Sequence, residues 1–211
     1  MIWAIVPVKP FVRAKSRLAS VLSEAERAGL SRAFLKHALG VLAETPGIAQ
    51  TLVVSRDPVV LEVARLAGVF GVAEHGRQGL NAALTQATGV ARAAGASAVL
   101  VLPTDLPFIT AGDVAQLIND DDEGPVMVIA PDRHEQGTNA LFVRPPGLAP
   151  YAFGEGSFGR HLRLAAHART RVRVCRLPGA ALDVDVPDDW RLYQAGRVPL
   201  APAMEENEHD H

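Results

Sequence analysis

The chain has 211 residues, enough for one domain with a proper core. It is 48% hydrophobic and 21% charged, which fits a soluble globular protein, and its formal charge of −2 gives no electrostatic reason to expect nucleic-acid binding. A single cysteine, Cys175, excludes an intramolecular disulfide and a multi-cysteine metal site within one chain, and no apolar run reaches membrane-spanning length.

Ile2 to Val8 is a short apolar run that reads as a first buried strand. It is too short for a signal peptide and lacks a basic region before it and a cleavage site after it, so a cytoplasmic location is expected. Lys9 to Leu18 then carries four cations, Lys9, Arg13, Lys15 and Arg17. Ser23 before Glu24 and Glu26 reads as a helix N-cap, and Leu30, Phe34, Leu35, Ala38 and Leu42 recur at helical spacing until Thr45-Pro46-Gly47. Ala49 to Ser55 is a second strand, and Val59 to Ala67 a short amphipathic helix that Gly68 ends. Val69 to Ala73 is a short third strand, and Leu80 to Ala94 an Ala-rich helix. Ala98 to Leu102 is apolar without alternation, as a strand buried on both faces of a parallel sheet would be. Strands and helices alternating in this way predict parallel strands joined by right-handed crossovers.

The second half predicts a helix over Ala111–Ile118, an acidic solvated loop over Asn119–Glu123, and a strand over Val126–Ala130. Thr138 to Val143 reads as a return strand. The glycine-rich turn Gly154–Ser157 leads into a helix over Phe158–Ala168. Val172 to Leu177 is a strand, in which Cys175 is expected to be structural, and Leu182 to Val186 is an extended segment with two carboxylates. Pro187 opens a last helix. Residues 1–196 are thus expected to form one α/β domain with a mixed, mostly parallel sheet flanked by helices, and residues 197–211 a disordered tail.

Asp105 follows the buried strand that ends at Leu102, on the carboxyl edge where open α/β sheets bind ligands; by itself it could equally serve a turn or a cap. The cations after the first strand fall on that same edge, where Lys and Arg would contact phosphates. Carboxylates beside them repel one another unless a divalent cation binds between them, and Mg²⁺ is typically held by one or two carboxylates plus substrate phosphates. Cations with paired carboxylates at one sheet edge therefore point to a nucleotide–metal site suited to transfer at phosphorus. The chain has no GxxxxGK[ST] and no GxGxxG after its first strand, which excludes a P-loop and argues against a dinucleotide site.

Five segments then occur in a recognisable order: PVKPFVRAKSRL (7–18), LPTDLPFI (102–109), GTNALF (137–142), FGEGSFGRHL (153–162) and LDVDVPDDW (182–190). Together they resemble the CofC/FbiD guanylyltransferases of coenzyme F420 biosynthesis, from about residue 3 to about residue 193. The resemblance implies a nucleotide-diphospho-sugar transferase, or glycosyltransferase-A-like, architecture. It also implies an enzyme that joins GTP to a small phosphorylated acid and releases pyrophosphate. Phosphoenolpyruvate is favoured on an Ala- and Arg-rich composition of bacterial character, with 2-phospho-L-lactate or 3-phosphoglycerate as alternatives and a non-catalytic nucleotide-binding protein as the reading from another class. By carry-over, Asp105 and Asp185 hold Mg²⁺, two ions with GTP bound, and Asp183 is the fallback ligand; Val186 stands where the related D-T-P-x-D pattern has threonine. Lys9, Lys15 and Arg17 would grip the GTP phosphates, with Lys15 and Arg17 acting on the leaving pyrophosphate. Asn81 would contact the nucleoside or else cap its helix. Thr138, Gly154 and Ser157 would bind the acid, with Arg160 and His161 either adding charge nearby or left in solvent. The family suggests a homodimer and neither a membrane nor a nucleic-acid partner.

Overall fold

The computed structural model describes residues 1–120 and 124–196. The expected tail from residue 197, and positions 121–123 of the acidic cluster, lie outside the described residues.

The two unalternating apolar runs become β1 (Ile2–Pro7) and β4 (Ala98–Val101), adjacent strands at the centre of the sheet. With β2 (Ile48–Ser55), β3 (Phe70–Ala73), β5 (Val126–Pro131), β6 (Thr138–Arg144) and β7 (Arg171–Val174), they form a seven-stranded sheet of order β3-β2-β1-β4-β6-β5-β7. Strands β1 to β4 pair in parallel, connected by helices α1 (Glu24–Glu44), α2 (Pro58–Leu66) and α3 (Leu80–Ala93). Strand β6 pairs antiparallel with both β4 and β5, while β7 is parallel to β5. The reversal puts Thr138, which opens β6, on the same edge as the carboxyl ends of β1 and β4.

The alternation of each strand sorts its side chains into two cores. Val6, Leu100 and Phe142 face α1, α2 and α4 (Ala111–Ile118), packing with Leu35, Leu42, Val60 and Leu117. Ile5, Val99 and Leu141 face α3 and α5 (Ser157–His167), packing with Leu84, Ala87 and Phe158. The predicted cap at Ser23 is a full capping box with Glu26. Strand β7 is shorter than the predicted Val172–Leu177; residues 175–177 are irregular, and Pro178 then opens a short helix α6 (Pro178–Ala181). Among the described residues no helix is long and apolar enough to cross a membrane.

A third, smaller core does the positioning. Leu18, Phe34, Leu182 and Val184 are buried together, with Trp190 and Tyr193 of α7 (Pro187–Gln194) packed against them. In the run LDVDV, Leu182 and Val184 turn into this cluster, and burying them contributes about 1.5–3 kcal/mol each. Asp183 and Asp185 alternate with them, so the same packing that anchors the segment fixes where its carboxylates stand.

Candidate active site

The cations and carboxylates that the sequence puts on one edge meet there. Lys15 Nζ lies 3.2 Å from Asp105 Oδ2 and 3.5 Å from Asp185 Oδ1, with its side chain only 8% exposed. Arg17 Nη1 reaches Asp185 Oδ2 at 3.4 Å from a solvent-exposed position. The loop is carried by two 3-10 turns, Phe11–Arg13 and Ser16–Leu18, and Phe11 N–H donates to Asp57 Oδ2 at 3.1 Å. Between the turns, Lys15 itself adopts a left-handed backbone (φ 54°, ψ 35°), a conformation costing a non-glycine residue about 1–2 kcal/mol. Burial alone would lower the Lys15 pKa; Asp105 and then Asp185 outweigh it and hold it above its usual value, so the ammonium persists.

Asp105 is tied to the late segment through the main chain as well, since Val184 N–H donates to the Asp105 carbonyl at 3.0 Å. Gly179 of α6 lies against the loop that follows Asp105, where a Cβ would stand 2.6 Å from the Phe108 carbonyl oxygen. Asp189 completes the frame: its Oδ2 accepts from Asp185 N–H (3.0 Å) and Val186 N–H (2.9 Å), while Arg133 donates to its Oδ1 at 2.7 Å. Asp183 joins the same cluster. Burial, then the nearby charge of Asp105, pushes its pKa up to about 6, and Asp185 adds to the effect. Asn139 links this cluster to its neighbour Thr138, donating to the Ala180 carbonyl (2.8 Å) and, more distantly, to Asp183 Oδ1 (3.4 Å).

Thr138, Gly154 and Ser157 also converge. Thr138 N–H donates to Ser157 Oγ at 2.8 Å, and Thr138 Oγ1 lies 2.9 Å from His161 Nδ1. The second ring nitrogen of His161 accepts from Ala152 N–H at 3.1 Å. Ser157 N–H and Phe158 N–H, which the glycine-rich turn was expected to leave for an anion, are taken by the Gly154 and Gln136 carbonyls. The N–H groups of Gly154, Glu155 and Gly156 are exposed and donate to no group among the described residues. Gly154 has φ +117°, and a Cβ on it would approach the Arg160 guanidinium to 3.3 Å. Buried Arg160 Nε has no hydrogen-bond partner among the described residues.

Asn81 does not cap its helix. The N-cap is Gly79, without a side-chain bond, and the Asn81 amide instead clamps Phe153, accepting from its N–H (2.9 Å) and donating to its carbonyl (3.2 Å). His161 is not in solvent either, being fully buried. Lys9 is exposed at the end of β1 and makes no ion pair among the described residues. Sequence reasoning did not single out Asn139 or Asp189, and assigned His161 no definite role; GTNALF and the helix-opening acid of VPDD were the available signals for the first two.

A divalent cation fits this donor set. The Lys15 ammonium already stands where positive charge is wanted between Asp105 and Asp185, and Asp183 is short of compensating charge. Among the described residues no group of three or more acidic, histidine or cysteine side chains is spaced to hold a metal ion unaided. A cation here would need further ligands, such as the phosphates that commonly complete a Mg²⁺ shell.

A reversed-strand sheet with cations and carboxylates on one edge belongs here to a nucleotidyltransferase, as the relatives of the chain show. In fold it matches a protein of Desulfovibrio desulfuricans G20, provisionally named a nucleotide-diphospho-sugar transferase, with a TM-score of 0.75 at 20% identity, covering 91% of this chain and 85% of that one. The family model described as "Guanylyl transferase CofC like" matches residues 2–192, and the chain belongs to that family. A phosphoenolpyruvate guanylyltransferase of Rubrobacter xylanophilus is 48% identical over 95% of this chain and 98% of its own. A 2-phospho-L-lactate guanylyltransferase of Methanothermobacter thermautotrophicus is 37% identical over 88% of this chain and 81% of its own.

Proposed function

We propose that this protein transfers the guanylyl group of GTP to phosphoenolpyruvate, giving enolpyruvoyl-2-diphospho-5'-guanosine and pyrophosphate, as a step of coenzyme F420 biosynthesis in the cytoplasm. The observation that carries the reading is the meeting of Lys15 with Asp105 and Asp185 beside Thr138, Asn139 and Ser157. Nucleotide phosphates and a phosphorylated acid would then share one sheet edge. The acceptor is taken from the 48% identical relative, whose name specifies phosphoenolpyruvate.

In this reading an ionised phosphate oxygen of the acid attacks the α-phosphorus of GTP, and the bond to the bridging oxygen of pyrophosphate breaks in line. No general base is required, since the attacking oxygen carries no proton near neutral pH. Lys15, held as an ammonium, and the solvent-exposed Arg17 neutralise charge on the departing pyrophosphate. Asp105 and Asp185, with Asp183 as the fallback ligand, would hold Mg²⁺, which would supply neutralisation of the charge developing on the phosphates. Thr138, Ser157 and the free N–H groups of Gly154–Gly156 orient the acid, while Asn81 keeps that turn in place through Phe153. Lys9, exposed on the same edge, is assigned to the GTP phosphates. Incubation with GTP, Mg²⁺ and each acid, with product identified by mass, tests the proposal; light scattering tests the homodimer that the family suggests.

A further inference from the structure

His161 is a fully buried histidine surrounded by partners that permit one arrangement of its protons. Ala152 N–H can only donate, so the Nε2 that faces it at 3.1 Å carries no proton. A neutral imidazole has one N–H, which is therefore on Nδ1 and donates to Thr138 Oγ1 at 2.9 Å. Burial, then the neighbouring Arg160 guanidinium, holds the His161 pKa down to about 4, so the ring stays neutral near pH 7. An imidazolium would set an N–H against the Ala152 N–H.

This fixes the Thr138 hydroxyl in turn. Its oxygen accepts from His161, and its own proton has no acceptor among the described residues. Ser157 is in the same state, its oxygen accepting from Thr138 N–H and its proton unassigned. Both residues are buried, at 6% and 2% exposure, where an unused hydroxyl donor is costly without a ligand. We propose that His161 is a positioning residue of the acid pocket: by donating to the Thr138 oxygen it turns the Thr138 hydroxyl proton toward the phosphorylated acid. The N–H groups of Gly154–Gly156, in the exposed turn that leads into Ser157, add further donors suited to a ligand made of ionised phosphate and carboxylate. The inference rests on the acid-binding reading of Thr138 and Ser157 given above.

Steady-state kinetics with phosphoenolpyruvate and GTP separate this role from simple filling of space beside Phe153, whose ring lies 5.0 Å from the imidazole. His161→Phe and Thr138→Val should each raise KM for phosphoenolpyruvate by roughly 10- to 100-fold, with KM for GTP within about twofold of the parent. The double variant should be no worse than Thr138→Val alone, because without the Thr138 hydroxyl His161 has nothing left to orient. His161→Asn, whose amide nitrogen can stand in for Nδ1, should recover more than His161→Gln, whose amide falls at Nε2. Multiplying effects in the double variant, better rescue by Gln than by Asn, or parallel changes in both KM values would overturn the proposal. Thr138→Val does not depend on the His161 variants folding, and an unchanged KM for phosphoenolpyruvate in it overturns the proposal by itself. Failure of the unaltered protein to turn over any phosphorylated acid would instead overturn the functional reading.

Discussion

Two groups in the site titrate in opposite senses, and replacing one should expose the other. The Asp183 pKa rises from 3.8 to about 6 on folding, by burial first and by Asp105 next. Native Asp183 therefore keeps a proton that the unfolded chain releases between these values. Its stabilising contribution is present below pH 3.8 and lost as pH rises through 6, a change of about 3 kcal/mol at 1.36 kcal/mol per unit. His161 falls from 6.5 to about 4, so its contribution is present above pH 6.5 and lost as pH falls to 4, again by about 3 kcal/mol. Over the shared window the two nearly cancel. Asp183→Asn should remove the first and keep the shape of the side chain. At pH 8 and without divalent cations, the variant should be about 3 kcal/mol more stable than the parent, or roughly 6–12 °C in Tm. That advantage should shrink steadily as pH falls and be nearly gone at pH 4, while the variant's own stability drops between pH 6.5 and 4. Thermal unfolding at pH 8, 6 and 4.5 in chelator reads both. A gap that is the same at every pH, or a variant less stable at pH 8, would refute the reasoning.

Lys15→Met should destabilise the metal-free protein by about 1–3 kcal/mol, since it leaves Asp105 and Asp185 facing each other without their cation, and millimolar Mg²⁺ should restore part of the Tm. Asp105→Asn should abolish pyrophosphate release while leaving circular dichroism unchanged. Asn81→Ala should raise KM for the acid by roughly tenfold through release of Phe153, and a change confined to KM for GTP would instead return Asn81 to the nucleoside. Arg17→Ala should alter stability by less than about 0.5 kcal/mol, because its pair with Asp185 is exposed, and should act mainly on KM for GTP.

Much of the frame is legible in residue order alone. The unalternating run ending at Leu102 predicts a central strand and so places Asp105 at the ligand edge, where the structure has it. The alternation of LDVDV contains the reason Asp183 and Asp185 share a face, because Leu182 and Val184 need a core. What could not be read depends on contacts between distant segments. The left-handed turn at Lys15 follows no glycine or asparagine signal and is held by carboxylates from two remote segments. His161 and Thr138 belong to a helix and a strand with nothing local to pair them, and Asn81 reads as a nucleoside contact or a cap because its partner, Phe153, is 72 residues away. The expected strand through Leu177 stops at Val174, and a short helix that the sequence reading does not include follows at Pro178–Ala181.

The central claim is that the Lys15–Asp105–Asp185 edge joins GTP to phosphoenolpyruvate. Mass analysis after incubating the protein with GTP, Mg²⁺ and phosphoenolpyruvate tests it most directly. The account predicts enolpyruvoyl-2-diphospho-5'-guanosine with one pyrophosphate released per product, and none of either from Asp105→Asn. Intact GTP and no new guanosine species from the unaltered protein would contradict it.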